Sequence, residues 1–505
     1  MAFFRDARAA VLLGAALLGL PFATSEFTAY QIALYLIYGM AAQGVALCWG
    51  RLGFLPLGHA LFFGLGAYLF GGTMKAAAVN AGWYAVLPLA LVAPALLAYV
   101  IARLVFARSS RSGPYFPLIT LALSMLGYAT DRIKANAFAF SALLASIAGA
   151  LFSAHQGIVT PQAMGFLLST EFVIWAAVGG KATALGPLLG AVIVGYASAE
   201  LRAQFLYWEV AVAAMFIGVV LFLPNGVAGL VARRRDARHG EARHAPAQRR
   251  TGVAEVPVSL DLDGVRTAQS GVTILDGLSF SVRGPGIRCV IGPNGAGKTS
   301  SFNVITGRLP LLDGGVKLDD HDIGGFPAWR VARKGVGRKM QVPSVFPDLT
   351  VRENLGLAVW AGRASGLQTL RLETLGWHTR LLDDILDKFP ALGARLDLPA
   401  GTLAQGHRQA LELAMTLLPE PRLVLLDEPC AGLSPAETHQ MIAAIKSLVG
   451  QIGAAALLIE HDIAAVDAIG GDVYVLHQGR LLERGSLAEI QKSAAVRAVY
   501  AGGRK

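Results

Sequence analysis

Two hydrophobic rhythms divide this chain. Through residues 1–230 the apolar positions come in unbroken runs, at 9–23, 28–49, 52–74, 83–107, 114–126, 135–154, 166–180, 182–199 and 206–223. A helix needs about 20 apolar residues to cross bilayer hydrocarbon, so most of these runs predict transmembrane helices. The 114–126 run would rise only about 20 Å against the ~30 Å hydrocarbon core, which predicts a half-span or re-entrant segment. From residue 258 onward, short β-rich stretches and helical patterns alternate, which predicts an α/β domain with a mostly parallel core. The expected fold class is multi-domain: an all-α polytopic transmembrane domain at 1–230, shortened around 119–134, a linker at 231–257, and an α/β domain at 258–505.

Composition and charge sharpen this division. Hydrophobic residues make up 54% of the chain and mean hydropathy is +0.51, both high for a soluble protein. The net charge of +10 comes largely from arginines at the ends of apolar runs and in the linker. Arg51 follows the second run, and Arg103, Arg108 and Arg111 flank the end of the fourth, so an N-terminus inside places all of them on the cytoplasmic face. Arg132 and Lys134 lie inside only if 114–126 does not cross. The chain leaves inside after Leu223 only if 166–180 and 182–199 make two passes. The first run, after Arg5 and Arg8, reads as a span rather than a cleaved signal peptide.

The linker carries Arg233, Arg234, Arg235, Arg238, Arg243, Arg249 and Arg250 against Asp236, Glu241 and Glu255. It is expected to be a flexible inner-face tether drawn to anionic membrane lipid. No aromatics interleave its basic residues, so nucleic acid is not the expected partner. Cys48, Cys289 and Cys430 are scattered and indicate neither a disulfide framework nor a zinc site. Ionisable groups inside apolar runs are costly and point to a pathway or a partner. Lys181 and Glu209 lie near run ends and read as interfacial. His59 and Glu171 are candidate pathway residues, with a helix-packing histidine and an interfacial glutamate as the plain alternatives.

Candidate chemistry is concentrated in the α/β half. Gly292, Pro293, Asn294, Gly295, Ala296, Gly297, Lys298 and Thr299, followed by Ser300, fit the pattern G-x-x-x-x-G-K-[ST] directly after a short apolar strand. Small residues let backbone N–H groups curl round phosphate oxygens, Lys298 reaches the β- and γ-phosphates, and the Thr299 hydroxyl can ligate Mg²⁺. The helix starting near Gly297 turns its positive end to the same anion. This predicts ATP and Mg²⁺ as ligands. A buried strand, Leu423 to Leu426, ends in Asp427 and Glu428. There one carboxylate can hold the metal and the next can polarise an attacking water. His461 follows another apolar strand and suits contact with the γ-phosphate, while Gln341 offers an amide to metal or water.

Taken together, these motifs resemble those of an ABC-transporter ATPase along nearly the whole of the second half. Residues 292–299 stand where Walker A does, Gln341 at the Q-loop, and Leu403, Ala404, Gln405, Gly406 and His407 at the signature. Residues 423–428 stand at Walker B, 431–435 at the D-loop, and His461 at the switch histidine. The first half is similar to permeases of branched-chain amino acid and urea importers at 55–68, 149–152 and 177–191. The resemblance implies a permease–ATPase fusion in the inner membrane. The segments 337–346 and 476–486 resemble the urea type more, so urea or a short amide is the expected substrate, with branched-chain amino acids the alternative. By resemblance, Glu428 is the catalytic base, and each nucleotide lies between one unit's phosphate loop and the other's signature. The implied partners are a second permease subunit, a second ATPase subunit and a periplasmic solute-binding protein.

Departures from the family pattern raise a further alternative, a nucleotide-responsive regulatory subunit with little hydrolysis. Ala404 replaces the usual signature serine and His407 the usual glutamine. Gln269 stands where an aromatic ring usually stacks on adenine. The segment matching residues 127–134 faces the cytoplasm in this family, and here Asp131, Arg132 and Lys134 are the groups expected to dock on the ATPase.

Overall fold

The computed structural model describes residues 24–51, 53–109, 122–181, 183, 185–204, 207–223, 226–232, 258–269, 271–341, 345–361 and 379–502. The first apolar run, the linker arginines, Arg111 and most of the 114–126 run lie outside them, as does the side chain of Arg108. The chain divides into two compact units, and residues 122–130 fall with the second.

In the first unit the described helices are α1 (Glu26–Ala46), α2 (His59–Val79), α3 (Leu87–Ser109), α4 (Thr130–Gln156), α5 (Phe166–Gly179), α6 (Gly186–Gln204), α7 (Trp208–Phe222) and α8 (Gly226–Ala232). Among the described residues, four helical stretches are long and apolar enough to cross a membrane: Glu26–Gly50, His59–Val79, Ala81–Phe106 and Thr130–Gln156. The 52–74 run becomes helical only at His59, because Pro56 and the glycines beside it interrupt the backbone ladder. In contrast, α4 starts before its apolar run, at Thr130, and takes in Asp131, Arg132 and Lys134.

Small residues set how closely these helices approach. A Cβ on Gly149 would lie 1.8 Å from the Phe63 carbonyl oxygen, and one on Gly190 would lie 2.0 Å from that of Trp175. Bare backbone at these crossings replaces the hydrophobic drive that lipid removes. Tyr38, Phe63, Phe152, Phe172 and Trp175 pack their rings in the bundle interior. Lys181, at the α5–α6 turn, sets its ammonium over the Trp49 ring, 4.5 Å from the centroid. Arg103, in α3, pairs with Asp131, at the start of α4, at 2.9 Å.

The second unit contains two sheets. Strands β1 (Ser259–Gln269), β2 (Val272–Arg283), β4 (Asp313–Leu318) and β5 (His321–Asp322) form an antiparallel sheet in the order β2-β1-β4-β5. The other sheet, β10-β9-β3-β8-β7-β6, is built from β3 (Gly286–Ile291), β6 (Val336–Lys339), β7 (Leu423–Asp427), β8 (Ala455–Ile459), β9 (Val473–His477) and β10 (Arg480–Gly485). It is parallel from β9 to β6, and β10 closes it antiparallel. Period-two alternation lets each strand serve two cores: Val424 and Leu426 of β7 enter one cluster, Leu423 and Leu425 the other. Among the helices, α9 (Lys298–Ile305), α10 (Ala328–Arg333), α11 (Val351–Val359), α12 (Arg380–Lys388), α13 (Pro390–Gly393), α14 (Gln405–Leu417) and α15 (Pro435–Ile452) follow in chain order, then α16 (Ile463–Ile469), α17 (Leu487–Lys492) and α18 (Ala494–Gly502). The carboxyl ends of β3, β7 and β8 open side by side, which is where parallel sheets of this kind take their ligands.

Candidate nucleotide site

At the end of β3 the backbone must turn sharply into α9, and glycines permit it. Gly292 has φ 152° and Gly297 φ 98°, and a Cβ on Gly292 would meet the Leu476 carbonyl oxygen at 2.3 Å. Within this loop Lys298 donates to the carbonyl oxygens of Gly292 (2.6 Å) and Pro293 (3.0 Å). Burial lowers the pKa of its ammonium, an effect that Glu428 and Asp427 oppose. A phosphate entering the loop meets a cation already fixed at its mouth. Thr299 Oγ1 lies 3.4 Å from Asp427 Oδ1. This hydroxyl–carboxylate pair of hard oxygens, beside a phosphate cradle, fits Mg²⁺.

Burial raises the Asp427 pKa, and Arg338, 3.6 Å away, opposes that shift. Arg338 is fully buried and also donates to Asn303 Oδ1 and Thr306 Oγ1, both at 2.8 Å. Neither Arg338 nor Asn303 stands out in the sequence, because the contact that joins them to Asp427 is formed only across β6 and α9.

Glu428 is the convergence point. Its backbone adopts φ 46°, a left-handed conformation unusual for a side-chain-bearing residue, and its N–H donates to the Ile459 carbonyl at 3.0 Å. The kink turns the carboxylate away from β7 so that Gln341 Nε2 donates to one oxygen and His461 Nε2 approaches the other, each at 2.9 Å. Three residues far apart in sequence therefore meet at one carboxylate. A fourth, Glu460, supports them from below: it is buried and accepts the N–H groups of Cys430 (3.2 Å) and His461 (3.3 Å).

The signature residues occupy the start of α14. Leu403 is buried, Ala404 is the N-cap, and no side chain caps the helix. Gln405 reaches the Ala431 carbonyl at 3.5 Å, and Gly406 faces the Glu437 carboxylate. Exposed helix-start N–H groups remain here for an anion, without the hydroxyl that a serine would add. At the other edge, Gln269 ends β1 opposite Val272, with Gly271 turning at φ 81° between them.

Comparison with known proteins identifies the arrangement. Residues 275–431 match the family described as ABC transporter, and residues 120–224 match that described as branched-chain amino acid transport system / permease component. The high-affinity branched-chain amino acid transport ATP-binding protein BraF of Pseudomonas aeruginosa is 33% identical over 254 residues, covering 48% of this chain and 97% of the relative. The corresponding protein LivG of Salmonella typhimurium is 34% identical over 249 residues, with the same coverage of 48% and 97%. The chain belongs to the ABC transporters. It joins a permease component of the branched-chain amino acid type to an ATP-hydrolysing component, as a multi-pass membrane protein with a cytoplasmic ATPase domain. Similar solved structures include a nucleotide-free ATP-binding cassette from an ABC transporter, 26% identical with TM-score 0.42, which covers 48% of this chain and 98% of that one. Another is the ADP conformation of such a cassette, 28% identical with TM-score 0.42, at 48% and 99% coverage.

Two expectations need correction. The relatives favour branched-chain amino acids over the urea expected from 337–346 and 476–486. The described part of the 114–126 run is not re-entrant, because it packs on the ATPase unit: Ala122 enters its core, with Leu123 and Leu126 against it. Asp131 pairs with Arg103, whereas within the second unit the Tyr128 hydroxyl donates to the Leu357 carbonyl at 2.9 Å and Arg333 Nε donates to the Gly127 carbonyl at 2.8 Å. Gly127, at φ 89°, makes that turn possible. Backbone acceptors leave no trace in a sequence, so these contacts could not be read there.

Of the candidate pathway residues, His59 is fully buried, hydrogen-bonded to Ser141 and edge-on to Phe62 and Phe138. It packs helices in this conformation. Glu171 lies exposed on α5, and the Glu209 side chain lies outside the described residues.

Proposed function

We propose that this transporter imports branched-chain amino acids, with Glu428 as the base that activates water for attack on the γ-phosphate of ATP. The convergence of Gln341 and His461 on the Glu428 carboxylate carries this reading. In it, His461 and Gln341 hold the carboxylate and then the attacking water in line, while Lys298 and the N–H groups of residues 292–300 take up the phosphate charge. Thr299 and Asp427 would hold Mg²⁺, which neutralises charge on the β- and γ-phosphates when bound. The residues Leu403 to His407 would act on the nucleotide of a second ATPase subunit. A second permease subunit and a periplasmic solute-binding protein complete the proposed importer.

Residues 122–130 are proposed to transmit closure of the ATPase pair to the membrane helices, because this stretch leads straight into α4 while docking on the ATPase through Gly127 and Tyr128. The deciding experiment is uptake by proteoliposomes holding this chain and its partner subunits. Leucine, isoleucine or valine accumulating with ATP, and urea failing to, is the expected result. ATP hydrolysis without uptake of either class would favour the regulatory reading, for which Ala404 and Gln269 are the specific observations. A cysteine at Ala129 should be labelled only from the cytoplasmic side, and labelling from outside would overturn the proposed topology.

A further inference from the structure

A buried ion pair joins the two halves of the catalytic apparatus. Lys339, the last residue of β6, lies two positions before Gln341, and Glu412 lies on α14, the helix that starts at the signature. Lys339 Nζ approaches Glu412 Oε2 at 3.4 Å, with side-chain exposures of 0% and 5%. The other carboxylate oxygen, Oε1, accepts the Met340 N–H at 3.3 Å, and Lys339 Nζ also donates to the Met340 carbonyl at 3.3 Å. Both polar groups of the Met340 backbone, one residue before Gln341, are therefore tied to this pair. Met340 and Glu412 also line a small cavity together with Ala122, Met125 and Leu126.

Burying two charges costs several kcal/mol per ion before pairing, and apolar residues of similar volume usually pack at least as stably. Stability alone therefore gives a weak reason for this pair. We propose that Lys339 and Glu412 are positioning residues that fix Gln341 relative to the signature helix, so that a movement of either is felt at the other. The carboxylate sets the direction of the Met340 N–H, the ammonium holds the carboxylate, and Gln341 inherits its distance to Glu428 from both. This rests on the proposed role of Gln341 in turnover.

The physics of buried pairs supplies the test. Removing one partner leaves an unpaired buried charge and can unfold the domain, whereas removing both together is tolerated. Full-length chain carrying Lys339→Met with Glu412→Leu should melt close to wild type and bind ATP with unchanged Kd. Its kcat, alone and with partner subunits, should fall roughly tenfold or more, because small misplacements of reacting groups have large effects on rate. Lys339→Met with Glu412→Gln keeps an acceptor for the Met340 N–H and should recover most of that loss. Gln341→Ala, measured in parallel, separates the two readings. A fall in kcat for Gln341→Ala together with wild-type kcat in both double variants would overturn the positioning role alone. An unchanged kcat in Gln341→Ala would remove Gln341 from turnover and the proposal with it. Equal losses in the two double variants would also overturn it, since the Met340 N–H acceptor would then not matter.

Discussion

The phosphate-loop face and the signature face of the same ATPase unit are unequally equipped. On the first, Lys298, Thr299, Asp427, Glu428, Gln341 and His461 are all present and in mutual reach. On the second, α14 is preceded by Ala404 as its N-cap, with no side-chain cap. If nucleotides lie between one unit's loop and the other's signature, the phosphate- and water-handling residues for this chain's own nucleotide are complete but for a ring at Gln269, while what it offers the partner's nucleotide is reduced to backbone N–H groups. An assembly that pairs this chain with a different ATPase subunit, as proposed, would tolerate this, because its two nucleotide sites need not be equal.

The contrast breaks most sharply at Glu428. Glu428→Gln should lower ATP turnover by about 10²–10⁴-fold, since the amide keeps the hydrogen bonds but accepts no proton. Nucleotide should stay bound, as read by equilibrium binding, and wild-type turnover would remove Glu428 from the base role. Lys298→Ala acts on the same face through binding, with a loss of about 1.5–3 kcal/mol for the charge-assisted contact. Titration with a non-hydrolysable ATP analogue checks it.

On the other face the effect should have the opposite sign. Ala404→Ser restores a hydroxyl at the N-cap, which adds about 1 kcal/mol to helix stability and a further acceptor or donor toward the partner's phosphate. Turnover should rise in the assembled pair and stay unchanged in the isolated chain; a rise in the isolated chain would place Ala404 at this chain's own nucleotide. Back on the phosphate-loop side, Gln269→Tyr should tighten ATP over GTP by about 1–3 kcal/mol through stacking, and an unchanged ATP/GTP ratio would mean that adenine is held elsewhere. The smallest expected change is Tyr128→Phe. It removes one hydrogen bond to the Leu357 carbonyl, worth about 0.5–1.5 kcal/mol, and should lower uptake per ATP hydrolysed more than hydrolysis itself.

Much of this was legible in the residues. Apolar runs predicted the helices of the first unit, since in lipid the backbone must satisfy itself within each segment. The phosphate loop, Asp427, Glu428 and His461 were legible because their spacing is fixed by phosphate and metal geometry rather than by the rest of the fold. The 114–126 run shows the limit. Its apolar residues suit a lipid phase or a protein core equally well, and composition cannot tell these apart. Only packing set its residues 122–126 against the ATPase core and His59 beside Ser141, Phe62 and Phe138.

The sequence by itself determined the chemistry at each strand end and the division into membrane and ATPase halves, because both follow from local spacing and hydropathy. The tertiary structure alone decided which distant groups meet. Gln341 and His461 share one carboxylate, Arg338 backs Asp427, Lys339 pairs with Glu412, and Tyr128 finds a backbone carbonyl. Each of these pairings depends on where sheet and helices bring side chains after packing, and many of their acceptors are carboxylates or carbonyls that any sequence offers in abundance.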